Sequence, residues 1–311
     1  AVNSSGASTW TATGAITMTG VVINNPGDML DYSDGNVSPE WQVYFQATED
    51  AKTNDGDFGG TAMFMRRIVS WAGGNLFPDP PTDPQDPTWA DEMSRLNYPV
   101  DSTGTKVAEP LRRGDLIQVT ANAPGLFYNG KKNINTEHKG ASTAYETGES
   151  YEDYLFSIVI LQRDVELVAS AIELSDLKDT NDNFIFDDTR ATGCEHYQGS
   201  LVHLDNLLLV DPANWALDGE VTVTKNGLTF GMKLGIDPDL LSIDANSLEN
   251  TPFSVTAILD QESSDFTTGY RLWLTNAGDL IVAVPEPGTV VLAIAAMLAL
   301  LPWRRPQRRG R

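Results

Sequence analysis

Apolar and polar positions alternate over short stretches, and glycine, proline, asparagine and aspartate separate them. Residues 10–24 place Trp10, Ala12, Ile16 and Met18 on one side before a Val21-Val22-Ile23 run, and 24–28 form a turn. Residues 41–48 alternate as a half-buried strand. A turn rich in Asp and Gly then leads to a third strand over 61–67, completing a meander. Further strands are predicted over 116–121, after Gly114-Asp115, and over 131–138 and 154–161. In the later part of the chain they fall over 201–207, 221–224, 228–234, 253–259 and 270–284. Asn129-Gly130 and Asn226-Gly227 are hairpin turns. One short helix is predicted over 89–96, within a Pro- and Asp-rich surface excursion at 73–110.

The prediction is all-β: two tandem small antiparallel barrels or sandwiches and a single C-terminal apolar helix. The first β domain covers 1–161, a linker 162–196, the second β domain 197–283, and a tail 284–311.

The chain has 311 residues and a formal charge of −22. The tail from 286 holds one acid and five arginines, so the body carries 16 Lys and Arg against 42 Asp and Glu, a net of −26. Such a body repels phosphate backbones and bare anionic membranes, and suits an exterior domain or one that meets cations. Cys194 is the one cysteine, so no intramolecular disulfide forms. The opening Ala1-Val2-Asn3-Ser4 is read as following a removed signal peptide.

In the tail, Val284-Pro285-Glu286-Pro287 precedes an uncharged run over 288–301. Trp303 follows, then Arg304, Arg305, Arg308 and Arg309. The run is at the marginal length for a bilayer, which needs about 20 residues. Trp303 suits the interface, and the arginines predict a cytoplasmic C-terminus with the body outside. The three parts in this order resemble the PEP-CTERM sorting signal of Gram-negative bacteria. That resemblance implies an exosortase partner, anchoring in the inner membrane through 288–303, and later cleavage near the motif.

The body contains Gly114-Asp115-Leu116-Ile117-Gln118-Val119-Thr120, then Tyr128-Asn129-Gly130-Lys131, and later Tyr197-Gln198-Gly199-Ser200-Leu201-Val202. These stretches resemble the OB-fold modules that precede the catalytic domain of secreted bacterial nucleases; that catalytic domain has no counterpart here.

Candidate chemistry is sparse. Asp179, Asn181, Asn183 and Asp187 match oxygen-ligand positions 1, 3, 5 and 9 of a calcium loop. Phe184 stands where glycine is needed, and Arg190 where glutamate is. Calcium is thus a candidate cofactor, set against a solvated acidic loop; Asp50, Asp55 and Asp57 make a weaker second case. Cys194-Glu195-His196 groups metal-ligand types, but zinc needs two further ligands. His203 is expected to face solvent from a strand, and His138 has no sequence partner.

These readings predict an exported, non-catalytic envelope or matrix protein, with exopolysaccharide or matrix proteins as partners. One alternative is a nucleic-acid-binding module using Tyr128, Lys131, Lys132, Arg112 and Arg113. The other is a carboxylate-based glycan hydrolase.

Overall fold

The computed structural model describes residues 2–9, 15–33, 39–48, 59–67, 88–122, 127–128, 130–135 and 156–283. The first unit holds strands β1 (Ala15–Val22), β2 (Glu40–Gln46), β3 (Thr61–Arg66), β4 (Val100–Asp101), β5 (Leu116–Asn122), β6 (Phe127–Tyr128), β7 (Lys131–Asn135) and β8 (Ser157–Gln162). Helix α1 (Trp89–Asn97) lies between β3 and β4. The sheet order is β4-β8-β5-β1-β2-β3-β7-β6.

The second unit holds β9 (Ser170–Ala171), α2 (Leu174–Leu177), α3 (Gly193–Tyr197), β10 (Leu201–Leu209), β11 (Glu220–Lys225) and β12 (Leu228–Leu234). It continues with α4 (Ala245–Leu248), β13 (Phe253–Gln261), β14 (Tyr270–Leu274) and β15 (Leu280–Val282). Pairing runs β10-β11-β12-β14-β13 and returns from β13 to β10, so five strands close into a barrel. Closure leaves these five strands no free edge.

The two units share one pairing scheme. β1 pairs with β2 and β5, β2 with β3, β3 with β7 in parallel, and β5 with β8. β10 pairs with β11 and β13, β11 with β12, β12 with β14 in parallel, and β13 with β15. Each unit inserts a helix between its third strand and the strand that returns to its first. The units differ in closure: β13 pairs with β14, whereas β5 and β7 do not pair among the described residues.

The expected purely antiparallel pairing is therefore corrected. A strand that returns antiparallel to the first, followed by a reversal, brings the last strand beside the third in the same direction. The expectation of two barrels holds for the second unit; the first is an eight-stranded sheet among the described residues.

Local chemistry explains the elements. Asn226 and Gly227 both have positive φ, which a two-residue hairpin between β11 and β12 requires. At α1, Thr88 accepts from the Asp91 N–H, and Asp91 accepts from the Thr88 N–H at 2.9 Å, a reciprocal cap. Trp89, Met93 and Leu96 recur at helical spacing and pack into the first core. Within the expected 73–110 excursion, one face of α1 is thus interior, while 102–110 is largely exposed. Within 162–196, read as a linker, Ile172, Leu174, Leu177 and Cys194 enter the second core.

Period two then places two faces. Trp41, Val43 and Phe45 of β2 enter the first core; Val255, Ala257 and Leu259 of β13 enter the second. The opposite faces meet each other. Tyr44, Ala62, Ile23 and Met29 pack on Leu201, Ile258 and Trp273 as a third cluster. Strand β2, expected half-buried, is therefore buried on both faces, with Gln42 3% and Tyr44 1% exposed.

The backbones touch where the units meet. A Cβ on Gly60 would sit 2.0 Å from the Gly199 carbonyl carbon. Gly60→Ala is expected to destabilise the protein by about 1–3 kcal/mol, the usual range for overpacking. Thermal unfolding of the variant beside the wild type measures it; an unchanged melting temperature would sink this account of the junction.

Candidate functional site

The junction of the units carries a buried ionic cluster. Asp260 lies on the outward face of β13 and is fully buried. It accepts from Lys131 Nζ at 3.0 Å, from Arg271 Nε at 3.0 Å, and from the Tyr44 hydroxyl. Arg271 stands directly opposite Asp260 across the β13–β14 ladder. Lys131 arrives from β7 and Tyr44 from β2, so four strands of both units meet on one carboxylate. Burial pushes this carboxyl up, but Lys131 and Arg271 outweigh it and hold it below its ordinary value. The Tyr44 phenol is driven well above its usual range by burial and by the adjacent Asp260 charge.

A second polar cluster lies nearby. Buried Glu195 accepts from Tyr270 Oη at 2.6 Å and from Gln198 Nε2 at 3.0 Å. Gln198 Nε2 also reaches the Gly130 carbonyl of the first unit at 2.9 Å. Burial raises the Glu195 carboxyl above its ordinary value. At another contact Arg113 holds Asp279 through both nitrogens, the second at 3.0 Å. The Asp28 carbonyl accepts from the Ile236 N–H, while burial pushes the Asp28 carboxyl up to about 6.

Beside the ionic cluster opens a cleft of about 410 Å³ between the units. The first unit lines it with Gln42, Phe64, Arg66, Lys131 and Asn133, and the second with Lys233, Arg271 and Trp273. Lys233 is paired with Asp218 at 2.6 Å, and Arg271 with Glu262 at 2.6 Å. Arg271 and Lys233 both lie over the Trp273 ring, at 4.9 and 5.4 Å from its centre. A cleft so lined offers hydrogen bonds and aromatic surface.

The residues singled out in the sequence fall elsewhere. Asp179 accepts from the Asn181 and Asn183 N–H groups at 2.8 and 2.9 Å, closing its own turn. Asp187 closes a separate turn with Thr189 and Thr192. Between them, Asp182 accepts from Thr229 of β12. No group of three or more His, Cys, Asp or Glu side chains gathers as a metal site among the described residues.

Cys194, Glu195 and His196 are on a helical turn, not a strand, and they diverge. The Cys194 thiol donates to the Leu177 carbonyl, and burial pushes it up. His196 meets the Arg190 carbonyl, and Glu195 turns to Tyr270. His203 is half-buried, contacting Thr256 and Asp205 on the open face of β10.

Of the four cations proposed as a basic patch, three are held by carboxylates, and the Tyr128 side chain lies outside the described residues. Lys131 is in the ionic cluster, Arg112 pairs with Asp164 at 2.9 Å, and Arg113 pairs with Asp279. Asp50, Asp55, Asp57, His138 and the tail from Val284 through Arg309 lie outside the described residues. The predicted C-terminal helix lies there too. Among the described residues no helix is long and apolar enough to cross a membrane.

No protein-family model matches the chain, and no curated protein matches it. Among solved structures, the chain is similar to one described as a replication protein A heterotrimer bound to ssDNA. The identity is 11%, covering 92% of this chain and 52% of that one, with a TM-score of 0.29. The chain thus spans about half the length of that solved chain.

The ionic cluster and the raised carboxyls act with opposite sign on stability. Asp260, held low, stabilises the fold above its ordinary value of 3.8 and loses that contribution as pH falls through its folded value. Asp28, held high, penalises the fold once ionised, and the penalty fades as pH falls from about 6 toward 3.8. Glu195 has the sign of Asp28. The melting temperature is therefore expected to rise as pH falls from about 6 toward 3.8 and to drop below that, and Asp28→Asn should flatten that rise. A profile that rises steadily up to neutral pH contradicts this assignment.

Asp260→Ala leaves buried Lys131 without its carboxylate and Arg271 still paired with Glu262, and should cost about 3–5 kcal/mol, read by urea unfolding. Asp179→Ala should cost about 1 kcal/mol through its lost turn bonds. Because both loop carboxylates already serve separate turns, millimolar calcium should not shift the wild-type melting temperature. A clear upward shift lost in Asp179→Ala would restore the calcium site.

Proposed function

We propose that this chain is an exported cell-envelope or matrix protein with a non-catalytic binding role, delivered by a PEP-CTERM-type tail. The observation that carries it is the succession of parts in the tail sequence: Val284-Pro285-Glu286-Pro287, the uncharged run at 288–301, Trp303 and the arginines. An exosortase would recognise the motif while the apolar run holds the body outside the inner membrane. Release or attachment at the surface follows. The marginal length of the run suits a transient anchor better than a permanent span.

The body would then be two OB-like units joined by their outer faces. In both, strand one pairs with two and four, two with three, and three with five in parallel, with a helix before strand four. This is the strand scheme of the OB barrel. It supports a fold and, by itself, no ligand. Single-strand binding needs a basic groove with stacking aromatics, and here three of the four cations named for it, Arg112, Arg113 and Lys131, are engaged by carboxylates. The hydrolase alternative needs a carboxylate free to carry a proton. Three acids line the cleft, Glu40, Asp218 and Glu262, and the last two are each held by a cation.

The test is cell fractionation of the full chain, epitope-tagged within the body, in a Gram-negative host that encodes an exosortase. The protein is expected in the envelope and then in the medium. Deleting the exosortase, or making Pro285→Ala with Pro287→Ala, should hold it in the inner membrane. Recovery in the cytoplasm, or release indifferent to both changes, overturns the proposal.

A further inference from the structure

We infer that the cleft between the two units is a binding site for neutral saccharides; this rests on the reading of the chain as an exported binding protein and gives that reading a site. Charge is the first argument. Lys131 and Arg271 lie on Asp260, Arg271 reaches Glu262 as well, and Lys233 lies on Asp218. An anion approaching these three cations would compete with carboxylates already in place, and Glu40 adds a further acid to the lining, within a body of net charge −26. A neutral ligand meets neither obstacle.

Unpaired atoms are the second argument. Asn133 and Trp273 are among the residues that line this cleft, and Asn133 Oδ1 and Trp273 Nε1 lie buried behind its surface with no hydrogen-bond partner among the described residues, within reach of a ligand hydroxyl only if the side chains adjust. One is an acceptor and the other a donor. A hydroxyl is donor and acceptor at once, so one ligand chemistry serves both. Buried polar atoms without partners are uncommon in folded proteins, and two in one cleft point to an absent group there.

Shape is the third argument. Phe64 of β3 is half-buried and lines the cleft, so it presents apolar ring surface to the ligand. A sugar ring has an apolar C–H face and an equatorial rim of hydroxyls, which suits an aromatic wall beside the planar amides of Gln42 and Asn133. The volume of about 410 Å³ falls within the usual range for small-ligand sites. Placement between two units fits the same rule, since ligand sites favour such junctions. Gln42, Asn133 and Trp273 lie on strands that the ionic cluster holds together, and Phe64 lies on β3, which pairs with both β2 and β7.

The experiment is isothermal titration of the purified full-length protein with neutral tetrasaccharides of glucose, mannose and galactose, and with tetragalacturonate. At least one neutral sugar should bind, with an affinity that does not change when salt is raised from about 0.05 to 0.5 M. Phe64→Ala should weaken it by roughly tenfold or more. Trp273→Phe, which keeps an aromatic wall and removes only the Nε1 donor, should weaken it as well, and serves if Phe64→Ala melts early. Failure of every neutral sugar to bind overturns the inference. So does tighter binding of tetragalacturonate, or binding unchanged in a folded Phe64→Ala. Binding in solution does not depend on where the cell places the protein. A failed cleft and a failed export signal therefore give separate results.

Discussion

One buried carboxylate, Asp260, ties the two units to each other. Its partners come from β2, β7 and β14, so its solvation is replaced by groups from both sides of the junction. A lone carboxylate in such a place would be far too costly. With Lys131, Arg271 and Tyr44 around it, the ion is compensated only when the units are docked in one register. The neighbouring apolar cluster of Ile23, Met29, Ala62, Leu201, Ile258 and Trp273 supplies attraction without direction. The ionic cluster supplies the direction, because a slip of one residue along β13 would exchange Asp260 for a core position.

That constraint shapes the cleft. The outer faces meet around Tyr44, Ile258 and Trp273, and the groove opens beside them, lined by Arg66 and Lys233. Three of its cations, Lys131, Lys233 and Arg271, are held by carboxylates, which leaves a surface with many hydrogen-bonding groups. The ligand class inferred for the cleft follows from the way the junction is stabilised. The acidity of the whole body acts in the same direction, since its field disfavours anionic ligands.

The candidate site was less legible than the strands. Alternation marked β2, β5, β10, β12 and β13 closely, and α1 appears within a residue of its expected range. The attractive clusters misled because they were read by spacing alone. Asp179 and Asp187 looked like successive ligands, yet each closes its own turn, which is what Asp does most readily beside small polar residues. Cys194 and His196 would share a face only on a strand, and they fall on a helical turn. Asp260 drew no notice, although an acid directly after Ala257-Ile258-Leu259 in a long apolar strand was the available signal.

The tail is where the sequence alone carries the argument: the order of its motif, apolar run and arginines is a property of the chain and needs no fold to be read. The same holds for the all-β class, for the Asn226-Gly227 hairpin and for the acidity of the body, because strand period, turn chemistry and charge are local. Only the tertiary structure decided that the outer face of β2 is buried, that the second unit closes while the first remains a sheet among the described residues, and which cations are engaged. The physical reason is that alternation specifies two faces but not their neighbours. Whether the second face meets water or another sheet depends on contacts between residues as far apart as Tyr44 and Asp260, which no local pattern encodes.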